Sequence, residues 1–139
     1  MSTQGLGRFV AAQDAVYESV VAELAAGKKS SHWMWFIFPQ LKELGRSATA
    51  RHFGISGLDE AAAYWQHPVL GARLKRCTQL VLVVPDRTIQ EVFGSPDDVK
   101  LGSCMTLFEA VAPEESSVGL MLARYFRGER DDVTLKLLT

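Results

Sequence analysis

The stretch LGARLKRCTQLVLVVP, residues 70–85, limits the fold more than any other part of the chain. Its aliphatic end, LVLVV, has the β-branched look of a buried strand. Yet Leu70, Leu74, Cys77, Val81 and Val84 fall at i, i+4, i+7, i+11 and i+14, the period of one helical face. The aliphatic run therefore continues a helix already under way, and Pro85 ends it. With that run read as helix, no strand pair with a hairpin turn signal remains, and the fold class expected is all-α.

The rest of the chain reads the same way. Phe9, Gln13, Val16, Val20 and Leu24 make a helical stripe closed by Gly27. Leu58 to Gln66 opens with Asp59 and Glu60, and Pro68 can start the following helix, where its missing N–H costs nothing. Thr88 and Glu91 have capping-box spacing for a short helix ending near Gly94. In SPDDVK, Ser95 reads as an N-cap, Pro96 as the first helical residue, and Asp97 and Asp98 as first-turn acids favoured by the helix dipole. Asp97, Leu101, Cys104, Phe108 and Val111 share a face of that helix. Glu114 to Phe126 predicts another, stopped by Gly128, and Asp131 or Asp132 caps a final one through Leu138. The expectation is a single compact domain over residues 1–139, with six to eight helices, several of them short, and a flexible segment at residues 1–7.

Bulk properties exclude several function classes. The 139 residues suffice for one buried core, and 47% hydrophobic with 22% charged residues is a globular composition, not a disordered one. A net charge of −1 gives no basic footprint for nucleic acid. No aliphatic run approaches the ~20 residues of a membrane helix, and no secretory leader is recognisable at the start. Cys77 and Cys104 fit buried thiols in a reducing compartment, so a soluble cytoplasmic protein is expected. The sequence leaves oligomeric state open.

Common catalytic signatures are missing. GLG at residues 5–7 lacks a third glycine, and there is no phosphate-binding P-loop. His32, His52 and His67 are not paired at helical spacing and neither cysteine belongs to a CxxC, so no metal and no cofactor are expected. Both cysteines lie on apolar faces, where an inert thiol is the ordinary reading over a nucleophile. The aspartates of SPDD already occupy the positive end of their helix, so simple anion binding at that end would be repelled.

What remains is SSHWMWFIFPQ, residues 30–40, where Ser31 is placed to cap a short helix holding Trp33, Phe36 and Ile37 together before Pro39. Two tryptophans in three residues face different sides of such a helix. One suits the core; the other suits a site, since an indole N–H needs a partner. Gln13 on a buried stripe, with Tyr17 one turn on, either satisfies backbone groups or contacts a ligand. His32 reads equally as a capping residue and as a functional one. Lys100 with Asp97 and Ser103 reads as a solvated face or as the charged side of a site.

The blocks SHWMWFIFPQ, HPVLGARL, SPDDVKLGSCMTLF and YFRGERDDVTLKLL resemble an uncharacterised bacterial family of small single domains, sometimes labelled calpastatin. That resemblance spans about residues 8–138 and implies a compact all-helical fold. The calpastatin label itself does not suit a chain composed to fold. The order of the pieces is also similar to NADAR-type proteins, which implies N-glycosidic chemistry on ADP-ribose or related nucleotides, without assigning that family's acidic catalytic residue to any position here.

Two functional readings follow. In the first, a small-molecule site, nucleotide-like or ADP-ribose-like in its ligand, forms where the aromatic segment meets the first helix and the SPDD helix. Gln13, Tyr17, Trp33, Trp35, Gln40, Lys100 and Ser103 would bind. If it hydrolyses an N-glycosidic bond, His32 would move the proton and Asp97 or Asp98 would support the cationic centre or activate water. In the second, the HWMWF aromatics form a non-catalytic protein-interaction patch. A third possibility makes the whole segment core.

Overall fold

The computed structural model describes residues 4–139. Nine α-helices follow in chain order: α1 (Gly7–Ala25), α2 (Met34–Ile37), α3 (Ala48–His52), α4 (Leu58–Gln66), α5 (Leu70–Leu82), α6 (Ile89–Phe93), α7 (Asp97–Val111), α8 (Ser116–Tyr125) and α9 (Asp132–Leu138). Two 3₁₀ turns, Gln4–Leu6 and Lys42–Leu44, complete the regular structure. There is no strand among the described residues, only an isolated parallel bridge between Leu41 and Ile55. The all-α single domain is as the periodicity implies. No helix of the described residues is long and apolar enough to cross a membrane.

The ambiguous run is helical, and its five periodic residues, Leu70, Leu74, Cys77, Val81 and Val84, are all buried. α5 packs on α1, α4 and α8. Its crossing with α4 is close because residue 71 is glycine: a Cβ there would lie 2.0 Å from the Trp65 carbonyl oxygen. α7 differs from the one-faced helix its spacing suggests. Every residue from Leu101 to Phe108 is buried, because α4, α6, α8 and α9 surround it. A helix covered on all sides needs no polar face, so its periodicity is weak.

Several ends match their signals. Gly27 leaves α1 with φ +76°, Thr88 and Glu91 form the reciprocal capping box of α6, and Asp131 accepts from Thr134 N–H at 3.0 Å to cap α9. Others move. α7 begins at Asp97, one residue later than expected, with Ser95 Oγ donating to Asp98 Oδ1 at 3.1 Å instead of capping the helix. α8 starts at Ser116 rather than Glu114, because the Glu115 side chain accepts from Ser117 N–H. Ser31 does not cap α2; its hydroxyl donates to Glu23.

α3 is the helix that periodicity misses, and it brings the total to nine. It buries no side chain. Ser47 caps it, and Arg8 from α1 holds the carbonyls of His52 and Gly54 at 2.7 and 2.9 Å. At the N-terminus, residues 1–3 of the expected flexible segment lie outside the described residues. Gln4–Leu6 is a 3₁₀ turn with Leu6 buried, and Gly7 already belongs to α1.

Candidate functional site

α1 ends at a left-handed glycine, so the chain turns back along the ends of α6 and α7. Lys29 N–H donates to the Val92 carbonyl at 2.7 Å, fixing this loop against α6. Glu23, on the last turns of α1, fixes it from the other side. Its Oε1 accepts from Ser30 N–H (2.8 Å), Ser31 N–H (3.1 Å) and the Trp33 indole N–H (2.8 Å), and its Oε2 from the Ser31 hydroxyl (2.6 Å). Burial alone would raise this carboxyl, but the bonds from Ser31, Ser30 and Trp33 overcome that and hold it at about 2. The loop so fixed, the single turn of α2 and the first turn of α7 enclose a recess of about 320 Å³, lined by Lys29, His32, Met34, Trp35, Ser95, Pro96, Asp97 and Lys100.

One carboxylate and two ammonium groups organise it. Lys29 Nζ lies 3.0 Å from Asp97 Oδ2, and Lys100 Nζ lies 3.8 Å from Asp97 Oδ1. Each lysine also sits over an indole: Lys29 Nζ is 5.1 Å from the Trp33 ring centre and Lys100 Nζ is 5.8 Å from that of Trp35. The Lys29 side chain is only 8% exposed, against 27% for Lys100. With Lys29, Lys100 and Asp97 charged, the recess carries one positive charge more than negative. At this helix end Asp97 is paired with Lys29, a residue that no local pattern links to SPDD.

The structure therefore brings His32, Trp35, Asp97 and Lys100 together. Gln40 borders an adjoining slot with Trp35 and Lys100, but that slot has only about 10 Å³ of accessible room, enough for one water. Trp33 is fully buried with its N–H on Glu23, so it is a floor beneath Lys29 and offers no free donor to a ligand. Asp98 faces a separate cleft with Ile89, Val99, Tyr125 and Phe126. Ser103 is buried, and its hydroxyl donates back to the Val99 carbonyl at 3.5 Å. Asp98 leaves the recess because it is turned 100° from Asp97 on α7. Ser103 lies one turn beyond Lys100, where α7 is covered on all sides. Trp33 precedes α2 and enters the core. Lys29 and Glu23 are the participants that sequence reasoning missed. Both look like ordinary surface charges in a helix end and a loop.

Gln13 and Tyr17 lie elsewhere, in a polar seam through the core. Gln13 Nε2 donates to the Phe36 carbonyl at 2.6 Å and to the Tyr64 hydroxyl at 2.9 Å, while its Oε1 accepts from Arg73 at 3.3 Å. Of the alternatives for Gln13, satisfaction of backbone and buried groups describes the contacts present; it anchors α2, which carries Trp35. Arg73 stacks on the Tyr17 ring at 4.7 Å and pairs with Asp14 at 2.8 Å. Burial pushes the Tyr17 and Tyr64 phenols and both thiols upward, Cys77 to about 12. Neither thiol is primed as a nucleophile. Among the described residues, no three His, Cys, Asp or Glu side chains are grouped closely enough to hold a metal.

Comparison with known proteins agrees with this architecture. The chain is similar to the conserved hypothetical protein Rv1873 from Mycobacterium tuberculosis, known from a crystal structure. The two share 53% sequence identity and a TM-score of 0.94, over 96% of this chain and 95% of the other. No curated protein matches the chain significantly. Neither calpastatin nor NADAR-type chemistry is named in what does match. The matching family model covers residues 3–138, and on that extent the chain belongs to the family described as protein of unknown function, DUF1810.

Proposed function

We propose that this protein binds a small anionic molecule in the recess between the loop after α1 and the start of α7. The observation that carries the reading is the convergence of Lys29 and Lys100, from distant parts of the chain, on one concavity walled by Trp35. Binding sites of small ligands are concave and hold a few convergent polar groups on an apolar frame, and this recess has that composition. Nucleotides and ADP-ribose-type compounds are the first class to test. If the protein also hydrolyses an N-glycosidic bond, the groups at hand are exposed His32 for proton transfer and Asp97 for the developing positive charge. Asp98 has no part in that arrangement.

The interaction-patch reading has less support. It needs the HWMWF aromatics on an open face, whereas Trp33, Met34, Ile37 and Phe38 are buried and Trp35 and Phe36 are half-buried.

The test is a thermal-shift series with AMP, NAD, ADP-ribose and ribose 5-phosphate, with tryptophan emission read in parallel. A ligand at ~100 times its Kd adds ~2.7 kcal/mol, which is roughly 8 °C for a domain of this size. The expected result is a shift with an emission change that Trp35→Phe abolishes. No shift and no emission change with any of these compounds at millimolar concentration would sink the reading.

A further inference from the structure

Resting on that reading, we infer that the recess selects a doubly charged phosphate monoester group, and that Asp97 is its internal counter-ion, competing with the ligand for Lys100. Asp97 serves the two lysines unequally. Its contact with Lys29 is a hydrogen-bonded ion pair at 3.0 Å, and the Lys29 side chain is 8% exposed. A buried ammonium without a partner is strongly disfavoured, so Lys29 retains Asp97. The contact with Lys100 is different. At 3.8 Å it is beyond hydrogen-bond length, and the lysine is 27% exposed on a flexible stem over Trp35. Lys100 is the exchangeable partner.

An anion entering the recess meets two ammonium groups and one carboxylate. Attraction to the pair scales with the charge it brings, while the cost of separating Asp97 from Lys100 is the same for any ligand. A carboxylate merely replaces Asp97 at Lys100, one singly charged oxygen pair for another. A phosphate monoester brings twice the charge and three acceptor oxygens, and can engage Lys100 while remaining within the field of Lys29. The adjoining slot is too small for a ring, and Lys100 already covers one face of Trp35. The phosphate group, not a stacked base, is then the main source of affinity.

This makes an unusual demand on Asp97. A residue whose charge holds the ligand weakens binding when neutralised; a competing counter-ion strengthens it. Titration calorimetry of the full chain with inorganic phosphate, acetate and AMP, on wild type, Asp97→Asn and Lys100→Met, separates the two. Expected are phosphate binding at least about tenfold tighter than acetate, about tenfold tighter phosphate binding in Asp97→Asn, and about tenfold weaker binding in Lys100→Met. Unchanged or weaker phosphate binding in a folded Asp97→Asn overturns the inference while leaving the recess as a site. So does AMP binding without phosphate binding. If Asp97→Asn does not fold, the wild-type comparison decides: equal affinity for acetate and phosphate overturns the inference. Binding of none of the three by wild type or a folded Asp97→Asn overturns both the inference and the reading beneath it.

Discussion

Replacing Glu23 by alanine tests whether the loop that carries Lys29 and His32 is held by one side chain. Four donors converge on this carboxylate, and they are unequal. Ser30 and Ser31 are exposed, so water replaces the lost acceptor at little cost. The Trp33 indole N–H is different, because its side chain is fully buried. A buried donor left unpaired costs ~1–3 kcal/mol, and the loosened loop adds a fraction of that, for a total of about 2–3 kcal/mol. At roughly 3 °C per kcal/mol for a domain of this length, the melting temperature should fall by about 6–9 °C. Glu23→Gln, which keeps the acceptor at Oε1, should lose about half as much. The carboxyl titrates at about 2 in the folded protein against an ordinary 4.5. A depressed folded pKa gives stability that is complete above the unfolded value and is lost as pH falls through the folded one. The gap between wild type and Glu23→Gln should thus be constant from pH 7 to about 5 and close between about 4.5 and 2. Scanning calorimetry over that range is the assay. A gap under 1 °C at pH 7, or one that widens on acidification, would refute the reasoning.

Two other perturbations have clear directions. Gly71→Ala forces a methyl group into the Trp65 carbonyl oxygen at 2.0 Å, so the α4–α5 crossing must separate; a loss of about 3 kcal/mol in urea unfolding is expected, the upper end of what overpacking a dense core usually costs. Cys77 and Cys104 are buried with raised thiol pKa values, so at pH 8 both should resist a thiol-disulfide reagent in the native protein and react fully in denaturant, measured by absorbance of the released thiolate.

The outline of the fold is legible because long helices carry their own evidence. α5 could be read through a strand-like run since five residues keep the helical period to Val84, and each is buried. α3 could not be read, because it buries nothing and is held by Arg8, 40 and more residues away. The same contrast governs the site. His32, Trp35, Asp97 and Lys100 stand out as polar or aromatic residues beside distinctive blocks. Their pairing depends on Lys29 reaching Asp97, which is a fact about how the loop after α1 crosses α7. Gln13 announced itself as an amide on an apolar stripe, but the sequence does not say that Phe36, Tyr64 and Arg73 satisfy it. Long-range polar contacts have no period, so no window of sequence reveals them.

The two tryptophans in three residues have a physical reason that joins fold to site. α2 is a single turn, so Trp33 at its N-cap and Trp35 within it point to different sides. Trp33 enters the core and Trp35 remains at the wall, yet each ring lies beneath one of the two lysines that face Asp97. A desolvated ammonium over an indole gains about 2 kcal/mol, and an exposed one about 0.5–1 kcal/mol. Those contributions offset part of the cost of holding Lys29 away from water. They also make the charge of the recess depend on core packing: Trp33 is locked by Glu23 and by edge-to-face contact with Phe93, and α2 is locked by Gln13 through the Phe36 carbonyl. Of the two ammonium groups it is thus Lys29 that the core fixes in position, at 3.0 Å from Asp97 and over the Trp33 ring, while Lys100 stays more exposed and 3.8 Å from the same carboxylate.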